Sequence, residues 1–218
     1  MIKGIIFDSD GTIFHSDGLG KETLNIICKK FNLKLNQDEY NQTRGLPRKE
    51  KLKILFPNDW KKMWPEWDSL YWNKYSQKVK AYHGAIATIK NLHEKKIALF
   101  IFSTKNSALI KMALKKYKIT NCFVKIIGGE KRPIKPAPKI MKSILKRYGL
   151  LAKEVILVGD TIIDEESAIN LKVPFVFLNY PSEKNIRPKT YKTTIKNLTE
   201  LQAFLKKQNT KIDFNRLK

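Results

Sequence analysis

Two carboxylates one residue apart, Asp8 and Asp10, stand in the stretch Asp8-Ser9-Asp10-Gly11-Thr12. Acids at that spacing can divide the labour of a phosphoryl transfer. One attacks phosphorus as a nucleophile, and the other protonates the leaving oxygen and then deprotonates an incoming water. Gly11 lets the backbone turn and offer its amides to an anion, and Thr12 belongs to the same phosphate-binding turn. Asp and Gly are also ordinary turn residues, so this stretch alone reads equally as a plain turn. Ser103 follows the apolar run Ile97–Phe102 directly, where a hydroxyl at a helix start can meet a phosphate oxygen or simply cap the helix. Thr104 is the competing hydroxyl, one residue of strand slippage away. In Lys135-Pro136-Ala137-Pro138, proline holds the preceding lysine out of helical geometry, just ahead of a helix start. Lys135 can there neutralise phosphoryl charge or, in so lysine-rich a chain, merely be solvated. Last come Gly159-Asp160 and Asp164. The two acids lie one helical turn apart and can face one Mg²⁺, or they can be a helix cap followed by an exposed acid.

These residues need a scaffold that brings four distant segments together, and hydrophobic patterning supplies one. Gly4–Phe7, 97–102, Phe123–Ile127, Val155–Val158 and Phe175–Leu178 are apolar apart from Lys125, and stretches of helical periodicity separate the later ones. Strands without polar alternation, interleaved with helices, predict a parallel sheet covered on both faces, an α/β Rossmann-like core. Helices are expected over 85–95, 108–117, 138–148, 164–171 and 198–206. Between His15 and Ala81 strand patterns vanish and apolar residues recur at helical spacing. All four tryptophans fall there, at Trp60, Trp64, Trp67 and Trp72. Their spacing puts at least the first three near one helical face, expected to be packed rather than to line a ligand site. The expected organisation is a core of residues 1–14 and 82–208, an inserted all-helical cap over 15–81, loop after Tyr180, and a polar tail over 209–218. Ligands of open parallel sheets sit at the carboxyl ends of the strands. The insertion leaves from that edge, placed to act as a lid.

Taken together, the four motifs resemble those of the haloacid dehalogenase superfamily, over about 140 residues of core. Asp8-Ser9-Asp10-Gly11-Thr12 resembles the DxDGT motif, Ser103 the Ser/Thr motif, Lys135 the lysine motif, and Gly159-Asp160 with Asp164 the GDxxxD motif. The insertion is similar to a C1-type cap. Arg44-Gly45-Leu46-Pro47 stands where the phosphoglycolate phosphatase and β-phosphoglucomutase branch carries a Gly-Leu-Pro segment. Ser9 departs from the pattern, which more often has an apolar residue there. The resemblance implies a Mg²⁺-dependent phosphatase in which Asp8 becomes an aspartyl phosphate and Asp10 serves as acid and then base. It implies that the Asp8 carboxylate, the Asp10 carbonyl and Asp160 hold the metal, with Asp164 as ligand or support, while Ser103 and Lys135 bind phosphoryl oxygens. The expected substrate is a small phosphorylated metabolite, phosphoglycolate-like or a sugar phosphate. The nearest rival is a β-phosphoglucomutase-type mutase using the same residues. Arg44 is expected to contact an anionic leaving group, or else to be a solvated arginine at a helix terminus.

Lys and Arg outnumber Asp and Glu by 43 to 20, a net charge of +23. Such a balance suits nucleic acid or other anionic partners, and a nucleic-acid-binding or end-processing protein is the alternative from another class. The excess is spread along the chain as Lys-Lys pairs, which fits an ordinary lysine-rich surface, and a pure binder has no need of the acids above. Cys28 and Cys122 form no CxxC and are expected to be buried, reduced thiols. No apolar run approaches a membrane span in length, so a cytoplasmic protein with no membrane partner is expected; the patterning carries no information on oligomeric state.

Overall fold

The computed structural model describes residues 1–131, 134–180 and 193–214. The chain starts with β1 (Gly4–Phe7) and the short β2 (Phe14–His15), then passes through four helices: α1 (Asp17–Lys30), α2 (Gln37–Gln42), α3 (Arg48–Leu55) and α4 (Trp60–Lys78). It returns through β3 (Lys80–Ala81) to alternating elements: α5 (Ala85–Glu94), β4 (Ala98–Phe102), α6 (Ser107–Lys116), β5 (Phe123–Ile127), α7 (Lys139–Arg147), β6 (Val155–Gly159), α8 (Ile162–Leu171) and β7 (Phe175–Leu178). A short β8 (Thr193–Ile195) and α9 (Glu200–Phe214) follow. Among the described residues the main sheet has six strands in the order β5-β4-β1-β6-β7-β8, and every pair is parallel. This is the α/β, Rossmann-like arrangement expected from the apolar strands.

The central strands β1, β4 and β6 are apolar because both faces are covered, whereas the edge strand β5 carries an exposed Val124 and Lys125. Ile5, Phe7, Leu99, Ile101, Ile156 and Val158 join one hydrophobic cluster, with residues of α5, α6 and α9. Their sequence neighbours Ile6, Phe100, Phe102 and Leu157 join the other, with Met141 and Leu145 of α7 and Ala168 of α8. Successive side chains of a strand point to opposite faces, so two helical layers need two apolar sets. Phe100 is fully buried, and its truncation to Ala should cost about 3–5 kcal/mol.

The helices α1–α4 have a third cluster of their own, built on Leu24, Ile27, Leu52, Met63 and Trp67. All four tryptophans lie on α4. Trp67 is fully buried and donates its indole N–H to Thr23 Oγ1 at 3.0 Å. Trp60 and Trp64 pack on the same cluster, whereas Trp72 packs against the sheet-side cluster beside Tyr71 and Tyr75. The two chain crossings, β2 and β3, pair with each other antiparallel, Phe14 against Ala81 and His15 against Lys80. Lys116 Nζ and Tyr117 Oη brace that ribbon through the Val79 carbonyl and the Ala81 amide, at 2.9 Å in each case.

Two details depart from expectation. The stretch after Tyr180, expected to be loop, contains β8; residues 181–192 lie outside the described residues. Three residues between polar neighbours give too short a pattern to read. The last helix runs to Phe214, so the tail expected over 209–218 is helical at its start, and residues 215–218 lie outside the described residues. Cys28 and Cys122 are free and buried, and burial pushes the Cys28 thiol up to about 11. Among the described residues no helix is long and apolar enough to cross a membrane.

Candidate active site

The order of the sheet decides where the chemistry-bearing residues meet. From β1 the chain steps to β4 and β5 on one side, then crosses to β6, β7 and β8 on the other. The strand ends of β4, β1 and β6 therefore flank a topological switch point, where open α/β sheets form their crevice. Phe7 pairs with Ile101 on one side and Val158 on the other. Asp8, Ser103 and Asp160 thus emerge side by side.

Asp8, Asp160 and Asp164 are buried, and each offers an oxygen within 4.8 Å of the others. Lys135 is set among them, 3% exposed. Its Nζ donates to Asp8 Oδ1 at 2.9 Å, to the Phe102 carbonyl at 2.9 Å, and to Asp164 Oδ1 in a short contact. Burial, opposed by Lys135 and reinforced by Asp164, lifts the Asp8 carboxyl from 3.8 to about 7. Burial works against the Lys135 ammonium too, but Asp164 and Asp8 outweigh it and hold Lys135 above its ordinary range. Lys135 serves Asp8 and Asp164 but makes no ion pair with Asp160.

Each acid is held by its local structure. Thr161 caps α8, and Asp164 Oδ2 accepts the Thr161 N–H at 2.8 Å and its hydroxyl at 2.5 Å, a capping box. Asp164 is therefore the third helical residue rather than an exposed acid beyond a cap. Thr12, fully buried, donates its hydroxyl to Asp160 Oδ1 at 3.2 Å, so its side chain braces an acid. Two glycines permit the close approach. Gly11 has φ +79°, and a Cβ there would lie 2.2 Å from Asp160 Oδ2; a Cβ at Gly159 would lie 2.3 Å from Asp164 Cγ.

Asp10 stands apart from the three acids. Its Oδ2 meets Lys105 Nζ at 2.6 Å, while its Oδ1 is shielded and has no hydrogen-bond partner among the described residues. The Ser103 hydroxyl accepts the Lys105 amide at 3.3 Å, and Thr104 Oγ1 donates to the Gly45 carbonyl at 2.8 Å. Both hydroxyls line one cavity with Asp8, Asp10, Lys135 and Asp160. From the other side, the α2–α3 turn and α3 bring Arg44, Arg48 and Lys51 to the same cavity. Arg44 is no surface arginine: its side chain is 17% exposed and reaches to 3.6 Å from Asp160 Oδ2. Arg48 pairs with Asp68 and lies 3.9 Å over the Tyr71 ring. Lys51 is buried, 4.4 Å over the Tyr40 ring. Sequence reasoning named neither Arg48, Lys51 nor Lys105, and among 43 basic residues nothing in the pattern marks them.

An acid pair after β1, a hydroxyl after β4, a lysine before α7 and further acids after β6 agree with the comparison against known families. The profile of the haloacid dehalogenase-like hydrolase family matches residues 5–178. The chain belongs to that family. It is 25% identical over 198 residues to a phosphoglycolate phosphatase of Haemophilus influenzae (strain 86-028NP), covering 84% of this chain and 88% of the relative. It is 24% identical over 160 residues to the pyrophosphatase PpaX of Oceanobacillus iheyensis, covering 73% of this chain and 75% of the relative. Among solved structures, a haloacid dehalogenase-like family hydrolase from Streptococcus pneumoniae superposes with a TM-score of 0.78 at 18% identity, over 94% of this chain and 98% of that one. CbbY from Rhodobacter sphaeroides, in complex with phosphate, gives 0.78 at 15% identity, over 92% and 96%. The structural likeness speaks to the fold, and the family and its curated relatives make the chain a haloacid dehalogenase-type phosphatase.

The oxygen-only donor set fits a divalent cation. Three buried carboxylates with oxygens within 4.8 Å of one another could hold such an ion, and hard cations favour carboxylate and carbonyl oxygens.

Proposed function

We propose that the chain is a Mg²⁺-dependent phosphatase of small phosphorylated metabolites that works through an aspartyl phosphate on Asp8. The observation that carries this reading is the setting of Asp8: buried, level with the ends of β4 and β6, and bonded to Lys135 at 2.9 Å. A carboxylate oxygen of Asp8 forms the new bond to phosphorus as the bond to the leaving oxygen breaks. Asp10 gives that oxygen a proton and then takes one from the water that attacks the aspartyl phosphate. This releases inorganic phosphate and restores Asp8. General acid–base assistance of this kind is worth about 10²–10⁴ in rate. Lys135 and the Ser103 hydroxyl, with Thr104 beside it, serve the phosphoryl oxygens. Asp8, the Asp10 carbonyl and Asp160 would hold the Mg²⁺, and Asp164, engaged by Lys135 and Thr161, supports them. When bound, the cation supplies charge neutralisation for the transferring group.

The helical stretch over 15–81 is read as a lid on this site, pivoting at the β2–β3 ribbon. The relatives named above as phosphoglycolate phosphatase and pyrophosphatase suggest a substrate with a second anionic group next to the phosphate. Arg44, Arg48 and Lys51 give the lid side of the cavity the matching charge, with Arg44 as the expected contact to the leaving group. A panel of phosphorylated metabolites scored by kcat/KM with Mg²⁺ tests the reading. Anionic compounds such as phosphoglycolate should lead the panel, and Asp8→Asn should abolish turnover while the protein stays folded. Turnover by pure Asp8→Asn near the wild-type rate would refute the assignment of the nucleophile.

A further inference from the structure

Asp10 is held by one side chain that the four motifs do not include. Lys105 lies on the loop between β4 and α6, and its side chain is 6% exposed. Its Nζ meets Asp10 Oδ2 at 2.6 Å and donates to Tyr71 Oη at 2.6 Å. The same ammonium sits 3.9 Å over the ring of Tyr75 and 4.9 Å from that of Tyr71. The two rings stack on each other, 5.7 Å between centroids. Both belong to α4, whereas Asp10 and Lys105 belong to the α/β core. Burial above all pushes both phenols up, so they remain neutral partners for the ammonium. A buried ammonium bonded to a carboxylate and lodged against two aromatic faces has little rotational freedom. It therefore fixes the carboxyl group it holds. Oδ2 of Asp10 is held by Lys105, Oδ1 is shielded with no hydrogen-bond partner among the described residues, and the side chain as a whole keeps 30% of its surface open.

We propose that Lys105, seated against Tyr71 and Tyr75, is the positioning residue for Asp10, and that it sets Asp10 for proton transfer only while α4 lies against the core. The inference rests on the reading of Asp10 as the general acid. It couples closure of the helical segment to chemistry, because withdrawing α4 removes the hydroxyl and the rings that hold Lys105 in place.

The test compares two substrates of nearly the same shape, p-nitrophenyl phosphate and phenyl phosphate. Nitrophenolate leaves without needing a proton, and phenolate leaves poorly without one. The readout is kcat/KM, which reports only the steps up to formation of the aspartyl phosphate. Lys105→Met should lower kcat/KM for phenyl phosphate by about tenfold or more beyond any loss on p-nitrophenyl phosphate, the scale of one charge-assisted hydrogen bond. Lys105→Arg should recover part of that difference. Tyr71→Phe, which removes only the hydroxyl, should show a smaller loss with the same substrate preference. It carries the test alone should Lys105→Met fail to fold. Asp10→Asn is the reference. If it loses phenyl phosphate selectively while folded Lys105→Met and Tyr71→Phe lose both substrates equally, or neither, this inference is overturned and the role of Asp10 stands. If Asp10→Asn itself loses both substrates equally, the reading of Asp10 falls and takes the inference with it.

Discussion

Burial of Asp8 makes the stability of the metal-free protein depend on pH in a particular direction. The Asp8 carboxyl is raised from 3.8 to about 7, first by burial and then by Asp164, against the pull of Lys135. A group with a raised folded-state pKa binds its proton more tightly in the native than in the unfolded chain. Its stabilising contribution is fully present below 3.8 and is lost as pH rises through about 7. Inside that window the unfolded chain has released a proton that the folded chain still holds, so stability falls by up to about 1.4 kcal/mol per pH unit. Across the whole window the loss is on the order of 4 kcal/mol. In a chain of this size that is a change in Tm of about ten degrees.

Other carboxylates titrate over the same range, so the informative quantity is the difference from Asp8→Asn, which cannot release that proton. Urea or thermal unfolding in EDTA, at half-unit steps from pH 4 to 7, should show the wild type losing stability more steeply than Asp8→Asn. Adding Mg²⁺ should reverse the trend for the wild type. Metal binding needs the ionised carboxylate and releases its proton, and a ligand that binds only the native state stabilises it. Parallel stability curves for the two proteins in EDTA would refute the account of how Asp8 is held.

Asp160→Ala should raise the Mg²⁺ concentration needed for half-maximal rate steeply, and full wild-type activity after thorough chelation would count against the whole metal site. Hydrogen exchange with Mg²⁺ and beryllofluoride, compared with neither, should show added protection where α3 and α4 meet the core; unchanged protection there would argue against a closing lid. Arg44→Ala should lower kcat/KM for phosphoglycolate by about tenfold or more, the worth of a charge-assisted hydrogen bond, and spare p-nitrophenyl phosphate. Equal losses on both substrates would return Arg44 to a structural role beside Asp160.

The α/β core was legible because its strands carry two interleaved apolar sets, one for each helical layer, and no soluble half-exposed strand reads that way. Strand order was not legible. Asp8 lies beside Asp160 only because β1 pairs with β6, a contact spanning most of the chain, and local periodicity says nothing about such pairings. The β2–β3 ribbon escaped notice for the same reason, since two residues on each side make no pattern. Thr12 stood out as a member of its motif, yet its hydroxyl turns to Asp160, which only the close pass of Gly11 beneath that acid explains. Ser103 and Thr104 could not be told apart by spacing. The structure separates them by partner, Ser103 to its own loop and Thr104 to the Gly45 carbonyl.

Charge was the least informative signal in the sequence and is among the most informative in the structure. With 43 basic residues, a lysine's presence at a given position says almost nothing; its burial says a great deal. Lys135 and Lys51 are both buried, and the side chain of Lys105 is 6% exposed. A buried ammonium persists only where carboxylates, carbonyls or aromatic faces replace the water it has lost. Lys135 finds Asp8 and Asp164, Lys105 finds Asp10 and two tyrosines, and Lys51 lies over Tyr40. The first holds the proposed nucleophile, the second the proposed acid, and the third faces the space where a leaving group would sit. Selection for a new substrate can therefore act on α3 and the turn before it, at Arg44 and Lys51, without disturbing the lysine that holds Asp8. Changes on α4 are different in kind: through Tyr71 and Tyr75 they reach Lys105, and so alter the chemistry as well as the fit.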